Sequence, residues 1–87
     1  MTAKEMFENL GYKQERKEVN PNGYGKDSYL YYHTGIHGQA IVFSLINNTV
    51  WTCCYDDIDK DSGDIYGLSI GELQAITQQM KELGWIE

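Results

Sequence analysis

Three groups of residues have the types and spacing to do chemistry. The first is Asp56, Asp57, Asp59, Asp61 and Asp64, five carboxylates within nine residues and only Lys60 to offset them. Asp57-Ile58-Asp59-Lys60-Asp61-Ser62-Gly63 opens like a calcium-binding EF-hand loop, which places oxygen ligands at its first, third and fifth positions. The match then stops. The glycine comes one place late, Leu68 stands where the bidentate glutamate belongs, and a β-rich run instead of a helix precedes the loop. By charge alone the segment reads either as a solvated connection or as a surface that attracts a basic protein.

The second group is His33, His37 and Cys53, a soft ligand set of the kind zinc takes. It stops at three, and the simpler reading is two histidines near a hairpin mouth and one packing thiol. No metal and no cofactor is therefore expected. Cys53 and Cys54 are adjacent, so their Cα atoms lie ~3.8 Å apart, short of the ~4.4–6.8 Å of a relaxed disulfide. Both are expected as free thiols, which suits a reducing, cytoplasmic setting.

The third group is aromatic. Seven tyrosines stand in 87 residues, and Tyr29, Tyr31, His33, Trp51 and Tyr55 alternate along β-rich runs so that they share one face. Rings with polar tips are the composition of protein interfaces and of ligand-stacking surfaces, and equally of a sheet face that the chain itself covers. Motifs for catalysis are missing: there is no Gly-x-Ser-x-Gly elbow, no glycine-rich phosphate loop opening a helix and no His-Glu-x-x-His. Gly23-Tyr24-Gly25 lacks the third glycine and the helix of a nucleotide fingerprint.

The elements that must position these groups follow from local grammar. Thr2-Ala3-Lys4-Glu5 and Ser69-Ile70-Gly71-Glu72 are capping boxes, each opening a helix. Ala3, Met6, Phe7 and Leu10 form the expected inward stripe of the first; Ile70, Leu73, Ile76, Thr77, Met80 and Leu83 form that of the second. Gly11 followed by Tyr12, and Gly84 followed by Trp85, are stop signals that call for positive φ at the glycines. Between the helices the period is two. Ser28–Thr34, Gln39–Leu45 and Val50–Tyr55 read as antiparallel strands, the last two joined by a type I′ turn at Asn47-Asn48. Lys13–Val19 adds a charged fourth strand at an edge, before the loop Asn20–Gly25. Leu30, Tyr32, Ile41, Phe43, Leu45, Val50, Thr52 and Cys54 should face both helices. The fold class is α+β, a three- or four-stranded antiparallel sheet with an N-terminal and a C-terminal helix in α-β-β-β-β-α order, as one domain over residues 1–87.

Net charge is −6, from 13 acidic and 7 basic residues, and the Asp56–Asp64 segment supplies four of those six charges. So acidic a chain does not bind nucleic acid by neutralising phosphates. No apolar run approaches the ~20 residues of a membrane span. The opening TAKEMFENLGYK and the closing LQAITQQMKELGWIE resemble the ends of small phage and prophage proteins of Gram-positive bacteria. That resemblance implies an accessory protein that binds a host factor, with inhibitors of bacterial immunity a prominent class, and it carries no site residue with it. The leading expectation is a non-catalytic protein that inhibits a host protein with a basic surface, through the acidic segment and the aromatic face. Such a protein could be a homodimer, and it would not touch nucleic acid or membrane. The alternatives are a small-ligand binder that sequesters a nucleotide-like signal, and an enzyme of unknown type.

Overall fold

The computed structural model describes residues 1–17, 29–35, 38–55 and 67–87. The acidic segment Asp56–Asp64, His37, the loop Asn20–Gly25 and residues 18, 19 and 28 of the expected strands lie outside them. Helix α1 (Ala3–Asn9) and strands β1 (Lys13–Lys17), β2 (Tyr29–His33), β3 (Gln39–Ser44) and β4 (Thr49–Cys54) precede helix α2 (Ile70–Glu82). The strands form one antiparallel sheet in the order β1-β2-β3-β4. This is the α+β arrangement the sequence implies.

Both capping boxes close. Thr2 Oγ1 accepts from the Glu5 amide at 3.2 Å while Glu5 Oε1 accepts from the Thr2 amide at 2.8 Å. Ser69 Oγ and Glu72 repeat the exchange at 3.1 and 2.7 Å. Both helices also end in the same way. Gly11 sits at φ +94° and Gly84 at φ +78°. Tyr12 N then donates to Phe7 O and Trp85 N to Met80 O, each at 2.9 Å, which satisfies carbonyls that the last turn would leave open. A Cβ built on either glycine meets no atom within 4 Å, so substitution costs only backbone strain. Gly11→Ala and Gly84→Ala are each expected to lose about 1 kcal/mol in chemical denaturation; a loss near zero would mean that the stops are unimportant.

The β3–β4 connection differs from the expected two-residue hairpin. Ser44 pairs with Thr49, so the loop holds the four residues Leu45–Asn48. Asn48 alone of these takes positive φ, at 57°, where a type I′ turn needs two such residues.

Helix and sheet meet over one face. Ala3 and Phe7 of α1, Leu30, Tyr32, Ile41 and Phe43 of the sheet and Ala75 and Ile76 of α2 form a single buried cluster with Tyr12. Phe7 stacks on Tyr32 with centroids 3.9 Å apart, and meets Tyr12 and Phe43 edge-on. The expected helix stripes need correction. Leu10 is 40% exposed and leans over Gly71, within 3.1 Å of where a Cβ would stand on that glycine. On α2, Ile70 is 76% and Leu73 49% exposed, and Thr77 is exposed too, while Ala75, Ile76 and Gln79 point inward. The helix is turned toward Gln79 because Tyr32 needs a partner: its buried hydroxyl donates to Gln79 Oε1 and accepts from Gln14 Nε2 at 3.0 Å. An unpaired hydroxyl in that core would cost about 1–3 kcal/mol, enough to outrank an exposed leucine. Among the described residues no helix is long and apolar enough to cross a membrane.

Candidate functional site

Strand alternation places Tyr29, Tyr31 and His33 on the sheet face opposite the helical core, in register with Ser44, Val42 and Ala40 of β3 and with Thr49, Trp51 and Cys53 of β4. Ala40, Val42 and Cys53 are fully buried and pack with Tyr31 into a second cluster, against which Tyr29, Trp51 and Tyr55 are partly buried. No helical residue belongs to it. Small side chains form the floor and rings form the walls: Tyr29 meets Trp51 edge-on at 5.0 Å, and His33 lies 4.5 Å from Tyr55 and 5.7 Å from Tyr31. The five aromatic residues picked from the sequence therefore do share one face. Tyr31 and His33 are the exceptions in accessibility. At 7% and 8% exposed they are buried, which leaves Tyr29, Trp51 and Tyr55 as the accessible rings.

The β1 register adds Glu15 opposite Tyr31. Tyr31 Oη donates to Glu15 Oε2 at 2.9 Å, and His33 Nε2 lies 3.4 Å from the same oxygen. The hydrogen bond from Tyr31 is the main reason that the Glu15 carboxyl is held below its ordinary pKa, with proximity to His33 adding to it. The backbone N–H of Gly35 donates to His33 Nδ1 at 3.1 Å, so that nitrogen carries no proton and the ring presents Nε2–H toward Glu15. The arrangement resembles the base-and-orienter pair of acid–base catalysis, but Nδ1 accepts from the protein's own backbone and Nε2 is buried beside Glu15. Cys53 is two strands from His33 on the same face, and among the described residues no group of three or more His, Cys, Asp and Glu side chains is placed to hold a metal ion. Neither cysteine forms a disulfide; Cys53 is buried and Cys54 half-buried. Among the described residues, two buried polar atoms of this face, Trp51 Nε1 and His33 Nε2, have no hydrogen-bond partner.

A second surface lies on the outer side of α2. Ile70, Leu73, Gln74, Thr77, Gln78 and Lys81 line a shallow depression of about 320 Å³ along the helix.

No family model, curated protein or solved structure matches the chain. The reading of its surfaces therefore rests on their own chemistry.

Sequence reasoning missed Glu15, which had been read only as an edge charge; the alternation of β1 would have put it beside Tyr31 once the register was known. It also missed the outer face of α2, because Ile70 and Leu73 match the spacing of a core stripe. The competing stripe through Ala75, Ile76 and Gln79 contains a glutamine and so has the weaker hydrophobic signal.

Proposed function

We propose that this chain is a non-catalytic binding protein of the phage accessory type, which docks on a host protein in the cytoplasm and inhibits it, a nucleic-acid-handling immune factor being the leading kind. The observation that carries this reading is the aromatic sheet face: both helices sit on the other side, and Tyr29, Trp51 and Tyr55 are only partly buried around a floor of small residues. Tyrosine and tryptophan give large contact area at little entropic cost, and they dominate the energy of protein interfaces. In sequence Tyr55 is followed directly by the acidic segment Asp56–Asp64, whose charge would attract a basic partner.

A second reading uses the same rings, on which a nucleotide-like ligand would stack. The two separate by experiment. Tagged protein incubated with bacterial lysate is expected to retain a stoichiometric protein partner, with retention falling at least tenfold for Trp51→Ala while circular dichroism is unchanged. Saturable nucleotide binding in calorimetry without protein capture would replace inhibition by sequestration. Changing Asp57, Asp59 and Asp61 to asparagine is expected to slow association and flatten its salt dependence without affecting folding. Unchanged affinity between low and moderate salt would reduce the segment to a solvated connection.

A further inference from the structure

We propose that protonation of His33 is transmitted to Tyr55, so that the aromatic face of the sheet changes with pH. The backbone N–H of Gly35 donates to His33 Nδ1 at 3.1 Å, which occupies the lone pair of that nitrogen and leaves the proton of the neutral ring on Nε2. A second proton can go only to Nδ1. The imidazolium then turns a donor toward the Gly35 N–H, and the hydrogen bond between them is lost. On the other side of the ring Nε2 lies 3.4 Å from Glu15 Oε2, and a positive ring is drawn to that carboxylate. Protonation therefore exchanges one contact for another, away from Gly35 and toward Glu15.

Two routes lead from this ring to Tyr55. One is direct, because the two rings pack with centroids 4.5 Å apart. The other runs through the backbone. Gly35 O accepts from the Gly38 N–H at 2.8 Å, and Gly38 O accepts from the Tyr55 N–H at 2.9 Å. Gly35 sits at φ +110°, and a glycine is free to leave that conformation once the bond to His33 is gone. Among the described residues, the titratable and charged groups around His33 are Lys13 and Glu15 of β1, Tyr31 of β2, Cys53 of β4 and Tyr55, while β3 presents Ala40. Glu15 is the carboxylate in this set, and the hydrogen bond from Tyr31 holds its carboxyl below the ordinary pKa. It is thus charged throughout the range of about pH 5–8 in which histidine side chains change charge. Tyr55 is one of the three accessible rings, so whatever docks on them meets a different surface in acid. The link itself lies within the chain and needs no partner to be seen.

The test follows the ¹⁵N-labelled full chain by NMR between about pH 8 and pH 5. The amides of Gly35 and Tyr55 and the ring protons of His33 are expected to shift with one shared midpoint. Protection of the Gly35 amide against hydrogen exchange, corrected for the intrinsic rate at each pH, should fall about fivefold, the worth of one hydrogen bond. His33→Asn puts an oxygen that does not titrate where Nδ1 stands, and is expected to hold both amides constant across the range. Glu15→Gln leaves the histidine and an acceptor for Tyr31 in place, and should move the shared midpoint to lower pH because the imidazolium loses its counter-charge. The proposal is overturned if Gly35 does not follow the His33 ring, or if Tyr55 stays still while Gly35 moves. It is also overturned if either amide still titrates in His33→Asn, since His37, the only other histidine in the chain, is then the source. A midpoint that Glu15→Gln leaves in place or raises would overturn it as well, because the ring is then not exchanged onto the carboxylate.

Discussion

Replacing Phe7 by alanine is expected to remove about 3–5 kcal/mol of stability, a large share of the roughly 4–13 kcal/mol available to a chain of this length. Phe7 is fully buried and touches three other rings, so truncation empties the junction where α1, the sheet and the turn after α1 meet. A gap there cannot close easily, because Tyr32 is held by Gln14 and Gln79, and Tyr12 by Gln39 and Glu72. The thermal midpoint should fall by about 15–30 °C. Leu10→Ala, from the same expected stripe but 40% exposed, is the control and should cost under ~1 kcal/mol. Similar losses for the two variants would show that α1 is not seated as described.

Glu72→Ala is expected to cost about 2–4 kcal/mol, more than a helix cap alone. Glu72 closes the capping box of α2 and also accepts from the hydroxyl of Tyr12, a residue otherwise buried in the core. The contact also limits stability at both ends of the pH scale. Burial is the largest influence on Glu72 and raises its pKa, but the Ser69 amide and the Tyr12 and Ser69 hydroxyls together outweigh it and leave the group below 4.5. Its contribution is therefore present above pH ~4.5 and is lost as pH falls through the lower folded value. Tyr12 goes the other way: burial first, then its bond to the Glu72 carboxylate, raise its pKa above 10. Its contribution is complete below pH ~10 and is lost as pH rises beyond that. Denaturation across pH should show the alkaline loss reduced in Tyr12→Phe, and the acid loss reduced in Glu72→Ala, with Glu5 and Glu15, both also held low, supplying what remains. A pH profile unaltered by either change would remove this contact from the account.

Much of the fold was legible because it is encoded locally. Thr2 with Glu5, Ser69 with Glu72, and a glycine before an aromatic residue at both helix ends are signals complete within six residues, and all of them formed. Strand alternation likewise sorted Leu30 and Tyr32 from Tyr29 and Tyr31 onto opposite faces. What stayed hidden depends on pairs distant in sequence. Nothing near Gln79 shows that it will meet Tyr32, and without that bond Ile70, Leu73 and Thr77 make the better core stripe on paper. Glu15 was hidden for the same reason, since its role is set by which residues β2 places opposite it. The turn at Asn47-Asn48 was found by composition, but its geometry was fixed by the pairing of Ser44 with Thr49.

The bond from the Ala3 amide to Glu82 joins residues 79 positions apart, and it bears on when this core can close. Bringing together ends so far apart costs about 4 kcal/mol of chain entropy, against about 1 kcal/mol for the four-residue β3–β4 loop. The hairpin can therefore form early, whereas the helix pair must wait. During synthesis at ~5–20 residues per second, Phe7 is made several seconds before Ala75 and Ile76. Over that interval Phe7, Tyr32 and Phe43 have nothing from α2 to cover them, and a nascent chain is open to chaperones and to sticking. A circular permutant that links the two helices directly and opens the chain at Leu45–Asn48 would turn their contact into a local αα-hairpin. Lower contact order should make it fold faster than the natural order does.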